Sequence, residues 1–343
     1  MTLSSLQPYA QQFVSEIPHT PTYRYASVIL LRETKTYAIF TTESGEQQDT
    51  EQTQAGLNNK ETISRLVMFK RKQVAPERRT GKALARQYGV FPYGILQLKG
   101  KDSVVIYDPE ALIEAEAKGK GKENKFEKFD DCYLTAGLCS HCTDCLLYGY
   151  AAIEGTGARK SRVMTDTCFT VRPYELIQKQ VKFNVIDEKT QTSGTITEFD
   201  YTVPGVFLPA VETTVDLTMN EFVYVLSNIL RTTRYGKESS RQGYLRNHVL
   251  GIAFSDVELF ANLELTQAFY DAFQSKGIDL SHSLTLPNFQ EQADDVIKQL
   301  TDKTVGRLEI VTGDRLEAIL NDVQVLNRDE NQLYWKQNEN RTF

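Results

Sequence analysis

Four of the chain's five cysteines, Cys132, Cys139, Cys142 and Cys145, fall within fourteen residues, and no other feature of the sequence restricts the backbone so tightly. Two overlapping C-x-x-C steps let one turn present thiolates to a single metal ion, and Cys132 can close the tetrahedron. Zinc suits this set: four thiolates fill its coordination, which makes the site structural and leaves no position for water. His141 is a substitute ligand inside the same segment. An iron–sulfur cluster also uses C-x-x-C-x-x-C, but the Cys-Pro step that usually follows is missing. The plain alternative is a set of reduced, unligated thiols beside a loop. Five cysteines in 343 residues do not make a disulfide framework, so a reducing cytoplasm is the expected compartment. Cys168, in a strand-like run, reads as a core residue.

At this length the chain is either one large decorated domain or two smaller ones. Apolar residues make up 41% of it, enough for a sizeable core, and no run approaches the roughly 18 apolar residues of a membrane helix. The start, MTLSSLQPYAQQFVSEIPHTP, lacks the basic and apolar regions of a secretory signal. The net charge of −6 argues at first against a polyanionic partner, but its distribution does not. Residues 255–343 hold 16 acidic and 8 basic side chains, a balance of −8, so residues 1–254 carry +2. An acidic C-terminal part masks a mildly basic body.

Residues 25–32 (YASVILLR) form an apolar, β-branched run that predicts a buried strand, with residues 37–42 (YAIFTT) as its hairpin partner. Residues 43–59 read as a solvated polar loop. Residues 89–112 read as short strands and turns, and residues 114–128, nearly free of apolar side chains, as a mobile excursion. Residues 181–187 and 194–201 flank a polar turn and predict a ribbon. Residues 218–230 place Met219, Phe222, Val223, Leu226, Ile229 and Leu230 on a helical stripe. Residues 248–254 predict a returning strand, 266–275 and 288–300 helices, 307–312 a strand and 314–320 a short helix. With no repeat and no regular βαβ spacing, the expected class is α+β with an antiparallel sheet.

Three separated windows concentrate positive charge. Residues 63–88 hold Arg65, Lys70, Arg71, Lys72, Arg78, Arg79, Lys82 and Arg86 against one acid, Glu77. The apolar residues there are contiguous, and Pro76 and Gly81 interrupt the window, which favours nucleic acid over an amphipathic membrane helix. Residues 155–162 (GTGARKSR) fail as a nucleotide-binding P-loop, because Arg159 stands where that loop needs Gly before Lys160–Ser161. What remains is Gly155 and Gly157 for close backbone approach, and Arg159, Lys160 and Arg162 for phosphate oxygens. Residues 231–246 interleave Arg231, Arg234, Lys237, Arg241 and Arg246 with Tyr235, Tyr244, Gly236 and Gly243. Cations grip phosphates and tyrosines stack on unpaired bases. Each of the latter two windows reads equally well, alone, as a solvated turn; their recurrence in one chain points to nucleic acid. No catalytic set is legible. His19, His141, His248 and His282 are the only histidines, no G-x-S-x-G, H-E-x-x-H or paired-Asp motif occurs, and Asp200 reads as an isolated surface acid.

The order of segments carries further information. A strand opening at Tyr25, a cysteine-bearing stretch leading into CLLYGYAAIEGTGARKSRVMTD, a ribbon, VPGVFLPAVETTVDLT, a helix and RTTRYGKESSRQGYLRNHVLGI follow one another. This succession resembles the backbone subunit of the CRISPR Cascade effector complex in its type I-D form, a family of the RAMP superfamily of RNA-binding proteins. The resemblance runs from about residue 23 to about residue 256.

The resemblance implies a modified RNA-recognition (ferredoxin-like) fold, an antiparallel sheet core within a single decorated domain over residues 1–343. Its insertions would be a basic, lid-like and mobile region over residues 43–128, a zinc-binding element over 129–150 and a thumb-like β-ribbon over 182–209, with an acidic helical part over 257–343. Arg65, Lys70, Arg71, Lys72, Arg78, Arg79, Arg159, Lys160, Ser161, Arg162, Arg231, Arg234, Lys237, Arg241 and Arg246 would bind the guide RNA (crRNA). Val203, Val206, Phe207 and Leu208 would form the thumb wedge. Cys132, Cys139, Cys142 and Cys145 would hold zinc. The implied partners are guide RNA, target DNA with target RNA as a further candidate, more copies of the chain in a filament, and other effector subunits including a nuclease-bearing large one. The chain itself would be a non-catalytic scaffold, since base pairing reads the sequence and the protein holds the backbone. The sheet aromatics of ordinary RNA-recognition motifs are missing, so loops rather than the sheet would make the contacts. An endoribonuclease of the same superfamily and a zinc-containing protein–protein adaptor stand as alternatives.

Overall fold

A computed structural model describes residues 3–42, 47–87, 92, 94–99, 104–106, 109–120, 124–128, 132, 138–151, 157–186 and 193–328. Gly155, expected in the second basic window, lies outside the described residues. A 3-10 helix (Ser4–Gln12) precedes β1 (Tyr25–Thr34), β2 (Thr50–Gln54), β3 (Thr62–Met68) and α1 (Lys70–Gln87). Next come β4 (Gly94–Gln97), β5 (Val104–Ile106), α2 (Pro109–Gly119), β6 (Lys125–Lys128) and α3 (Thr143–Tyr148). They are followed by β7 (Tyr150–Ala151), β8 (Ala158–Arg159), β9 (Val163–Thr165), β10 (Cys168–Phe169), β11 (Gln178–Ile186), β12 (Ser193–Thr202) and β13 (Phe207–Val215). The last are α4 (Met219–Arg231), β14 (Leu245–Ser255), α5 (Asn262–Ser275), α6 (Leu286–Thr301), β15 (Leu308–Val311) and α7 (Gly313–Arg328).

The fold is α+β, built on a five-stranded antiparallel sheet in the order β15-β14-β1-β13-β9. β1 is apolar on both sides because it is enclosed on both sides: nine of its ten residues are buried. Ala26, Val28 and Leu30 pack toward α1, α4, α7 and the 3-10 helix. Ile29 and Leu31 pack toward α5 and α6, where Phe289 sits among Phe207, Phe269 and Phe273 at ring separations of 4.6, 5.1 and 4.9 Å. Helix α4 starts where Thr218 and Glu221 form a reciprocal capping box. Among the described residues no helix is long and apolar enough to cross a membrane.

Several expectations are corrected. Residues 37–42 do not pair with β1, whose two edges are taken by β13 and β14; only Ala38 bridges, to Thr202. Part of the supposed loop 43–59 is β2, hydrogen-bonded to β3. The 114–128 excursion contains the end of α2 and β6, which packs on β4. Helix α1 runs straight through Pro76 and Gly81. Gly81 is needed there, since a Cβ would stand 2.2 Å from the Tyr224 hydroxyl of α4. The ribbon is β11–β12, Gln178 to Thr202, so Val206, Phe207 and Leu208 are not its wedge: they lie in or beside β13, 1%, 3% and 0% exposed. Val203 is half-buried against the same core.

One buried polar group crosses this core. Arg32 of β1 donates from Nη1 to Glu77 Oε1 of α1 (2.7 Å), to the Tyr235 hydroxyl (3.2 Å) and to Asn247 Oδ1 of β14 (3.1 Å), and from Nη2 to Glu212 Oε2 of β13 (3.3 Å). Tyr235 in turn donates to Glu77 at 3.0 Å. Burial, then repulsion from Glu77, push the Glu212 carboxyl well above the usual carboxylate range, so it keeps its proton where an exposed glutamate has lost it. A raised folded-state pKa adds stability at low pH, and this is lost as pH climbs above the unfolded value of about 4.3, at about 1.4 kcal/mol per unit until the folded pKa is reached. Glu212→Gln removes that dependence. Urea unfolding at pH 5 and pH 8 should therefore show the variant gaining on the wild type as pH rises; parallel profiles would mean that Glu212 is not protonated in the fold.

Candidate nucleic-acid interface and cysteine cluster

Both faces of the central sheet are covered, so the surface open to a polyanion is made by loops and helix ends. At the Thr34 end of β1 three segments converge. The first turn of α1 carries Lys70, Arg71 and Lys72 and no acid, which puts three cations on the positive end of the helix dipole. Arg71 reaches Thr42 O at 3.4 Å. The Lys72 ammonium is held below its usual pKa, first by burial and then by Arg71, with Lys237 and Arg79 adding repulsion and Asp49 opposing it. A surface under such positive potential is stabilised by a bound anion.

The 231–246 loop supplies the second segment. Lys237 N donates to Ile39 O (2.9 Å), and Gly243 N to Tyr37 O (2.8 Å). Gly236, at φ 84°, allows this approach, since a Cβ would stand 2.4 Å from Ile39 O. Arg234 stacks over the Tyr244 ring at 5.5 Å, and Arg241 is exposed. The third segment is the root of the ribbon. Lys179 lies 5.7 Å from the centroid of the Tyr37 ring, and Tyr37 meets Tyr201 edge-on at 5.9 Å. Tyr37 is 37% exposed. No sequence signal marks Tyr37 or Lys179: one sits in an apolar run and the other just before a predicted strand.

Other expected contacts belong to the core. Arg65 is fully buried, bonded to Thr53 Oγ1 and to the carbonyls of Ala55, Thr170 and Val171, and burial pushes its pKa down to about 10. Arg162 forms a two-pronged pair with Glu221 (2.5 and 3.1 Å) and donates to Asp216 O (2.8 Å), closing the entry to α4. Arg78 grips both oxygens of Asp144 (3.0 and 2.7 Å). Tyr235, expected to stack on bases, is buried beside Arg32. Arg159, Lys160 and Ser161 lie elsewhere. Val163 pairs with Thr214 near the Tyr25 end of β1, and a ten-residue strand spans about 30 Å. The 155–162 window is therefore not continuous with the other two. Arg231 and Arg246 are exposed, at the end of α4 and the start of β14. His248 of β14 is half-buried with Nε2 2.7 Å from Glu33 Oε2.

The sulfurs of Cys132, Cys139, Cys142 and Cys145 all lie within 4.8 Å of one another and are buried. Cys132 is 3.4 Å from Cys145 and 3.8 Å from Cys142, close to the ~3.8 Å between thiolates around an ion bound tetrahedrally at about 2.3 Å. Backbone N–H groups of Cys139, Cys142 and Cys145 donate to the sulfurs of Cys132, Cys139 and Cys142 at 3.4, 3.2 and 3.4 Å. Hydrogen bonds from Cys139, Cys142 and Cys145 hold the Cys132 thiol far below its usual pKa. Ser140, at φ 58°, turns the chain inside the first C-x-x-C step. His141 points its Nδ1 at Cys139 O (2.6 Å), so the donor set is four sulfurs, which can hold a metal ion. Lys82 of α1 donates to Cys132 O (2.8 Å), and Asp144 binds Arg78 and Lys82, so the cluster is fastened to α1.

The family described as Csc2 Crispr matches residues 12–336. No curated protein matches the chain. Among solved structures, the crystal structure of Thermofilum pendens Csc2 aligns at TM-score 0.53 and 17% identity, over 89% of this chain and 97% of that one, a likeness of fold alone. A chain of a CRISPR RNA-guided surveillance complex in a pre-nicking state aligns at TM-score 0.48 and 13% identity, over 88% and 99%. A chain of a second CRISPR RNA-guided surveillance complex aligns at 0.49 and 10%, over 89% and 100%.

Cys142→Ser removes one sulfur and leaves a hydroxyl that can still cap α3. Elemental analysis should find metal falling from on the order of one ion per chain to a small fraction of that. Equal metal content in the variant and the wild type would rule the cluster out as the binding site.

Proposed function

The chain belongs to the Csc2 Crispr family, and from that premise we propose that it is the crRNA-binding backbone subunit of a CRISPR effector complex. The observation that carries this is the convergence of Lys70–Lys72, the Lys237 loop and the Tyr37–Lys179 ribbon root on one cationic, aromatic end of a sheet with both faces covered. Such a surface holds a strand by its phosphates and by base stacking, without a base-reading code. Guide–target pairing then supplies the sequence.

The order β14-β1-β13-β9, with α1 between β1 and β9 and α4 between β13 and β14, supports a modified RNA-recognition core of ferredoxin-like connectivity. The segments added to it are assigned as a lid-like region made by the parts of 43–128 that flank α1, a metal element over 129–150 and a thumb made by the β11–β12 ribbon. The sulfur-only donor set favours zinc as a structural ion, which would fix α3 against α1 and take no part in chemistry. The order of motifs favours the type I-D form. Further copies, target DNA and a nuclease-bearing large subunit are the partners this role requires, in the cytoplasm, with the chain as a non-catalytic scaffold. Arg159 and Lys160, near the Tyr25 end of β1, and Arg231 and Arg246, at the two ends of the 231–246 loop, are exposed or half-exposed and are assigned to the same strand's path.

Protein purified from cells is expected to carry short RNA and to multimerise on it. In binding titrations, alanines at Lys70, Arg71 and Lys237 together should lower the salt slope by about 2, at about 0.7 for each single-strand phosphate that no longer has a cation beside it. Monomers free of nucleic acid that do not shift single-stranded RNA at low salt would overturn the assignment.

A further inference from the structure

The end of the sheet opposite the Lys70–Lys237 surface holds a ring that the fold goes to some length to expose. Tyr23 is 57% exposed and sits at φ 58°, a left-handed conformation that bulky side chains rarely adopt. Asp216, itself at φ 52°, holds it there. Its carboxylate accepts from the N–H groups of Thr22 (2.7 Å), Tyr23 (3.3 Å) and Arg24 (3.0 Å) and from the Thr22 hydroxyl (2.5 Å). Asp216 N donates back to Arg24 O at 2.8 Å. Tyr25 lies behind the ring, at 6.2 Å and 23° between planes. Glycine would take this backbone without strain, so the chain keeps a tyrosine at Tyr23 against its own conformational preference. A ring already fixed in place loses little freedom on binding.

Cations flank it. Arg24 follows it in sequence and is exposed, with its guanidinium donating to Gln11 O (3.0 Å) and Phe13 O (2.6 Å). On the other side, Arg162 donates to Asp216 O at 2.8 Å, and Arg159 stands three residues before it, within about 10 Å of chain. Lys160 is exposed between them. Glu258 lies close to Tyr25 and repels phosphates from that side, which leaves the Arg24 and Arg159 sides for a backbone.

We propose that Tyr23 is a base-stacking platform, with Arg159 and Lys160 as its phosphate contacts, and forms a second site for single-stranded nucleic acid about 30 Å from the first. The inference rests on the reading of the chain as a guide-binding subunit. It gives the isolated 155–162 window a partner, and it assigns that window to a different stretch of the strand from α1 and the 231–246 loop.

The test is a titration of the full-length protein with a fluorescent single-stranded oligouridine across a salt series, together with urea unfolding. Tyr23→Gly is expected to weaken binding on the order of tenfold at every salt concentration with an unchanged slope, because stacking is not ionic. Its unfolding midpoint should equal or exceed that of the wild type, since the left-handed strain is gone. Tyr23→Phe should bind like the wild type, and Arg159→Ala with Lys160→Ala should lower the slope. Wild-type affinity in Tyr23→Gly overturns the proposal, as does a loss of affinity matched by a lower unfolding midpoint. Intact binding with lost multimers also overturns it, in favour of a second copy as the occupant of Tyr23. Failure of the wild type itself to bind would instead remove the guide-binding reading, and this inference with it.

Discussion

A single buried guanidinium organises this molecule. Arg32 sits in the middle strand of the sheet, fully enclosed, and an isolated charge there would be strongly unfavourable. Its partners come from four places: Glu77 on α1, Glu212 on β13, Asn247 on β14 and Tyr235 in the 231–246 loop. Satisfying Arg32 therefore draws a helix and a loop, far apart in sequence, onto the same end of the sheet. Breaking such a pair on one side typically costs about 3–5 kcal/mol. The two segments that it draws together bear Lys70, Arg71, Lys72 and Lys237, so the cationic surface follows from the placement of one core residue.

The cysteine cluster reinforces that placement from the other side. Its Asp144 takes up Arg78 and Lys82 in the middle of α1, neutralising charge that would otherwise repel the first turn. Helix α1 is thus held twice, through Glu77 and through Asp144, while at its N-terminal turn Asp49 only partly offsets the charge of Arg71, Lys72 and Lys237. On α1, Arg78 and Lys82 are paired with an acid, while the open end of the helix keeps a positive charge.

Much of the frame was legible in the sequence. The run YASVILLR predicted a buried strand, and the α4 stripe predicted that helix nearly to the residue. The four cysteines predicted their own convergence. What was not legible was which cations face solvent. Arg65 and Lys70 look alike in a basic window, yet Arg65 finds its carbonyl partners at Thr170 and Val171, more than a hundred residues away. Arg162 finds Glu221, 59 residues away. Glu77, the lone acid of its window, marks the face of α1 that is buried. Val206, Phe207 and Leu208 read as a wedge because an apolar run beside a ribbon can be a tip or a core strand, and only the pairing of β13 with β1 decides between them.

Strand binding at the Arg32 end of the sheet, and not on its faces, is tested most directly by amide hydrogen exchange with and without bound single-stranded RNA. The structure predicts new protection at residues 37–42, 70–73 and 233–243, with α5 and α6 unchanged. Protection confined to residues 262–301, with those three segments unaffected, would contradict it.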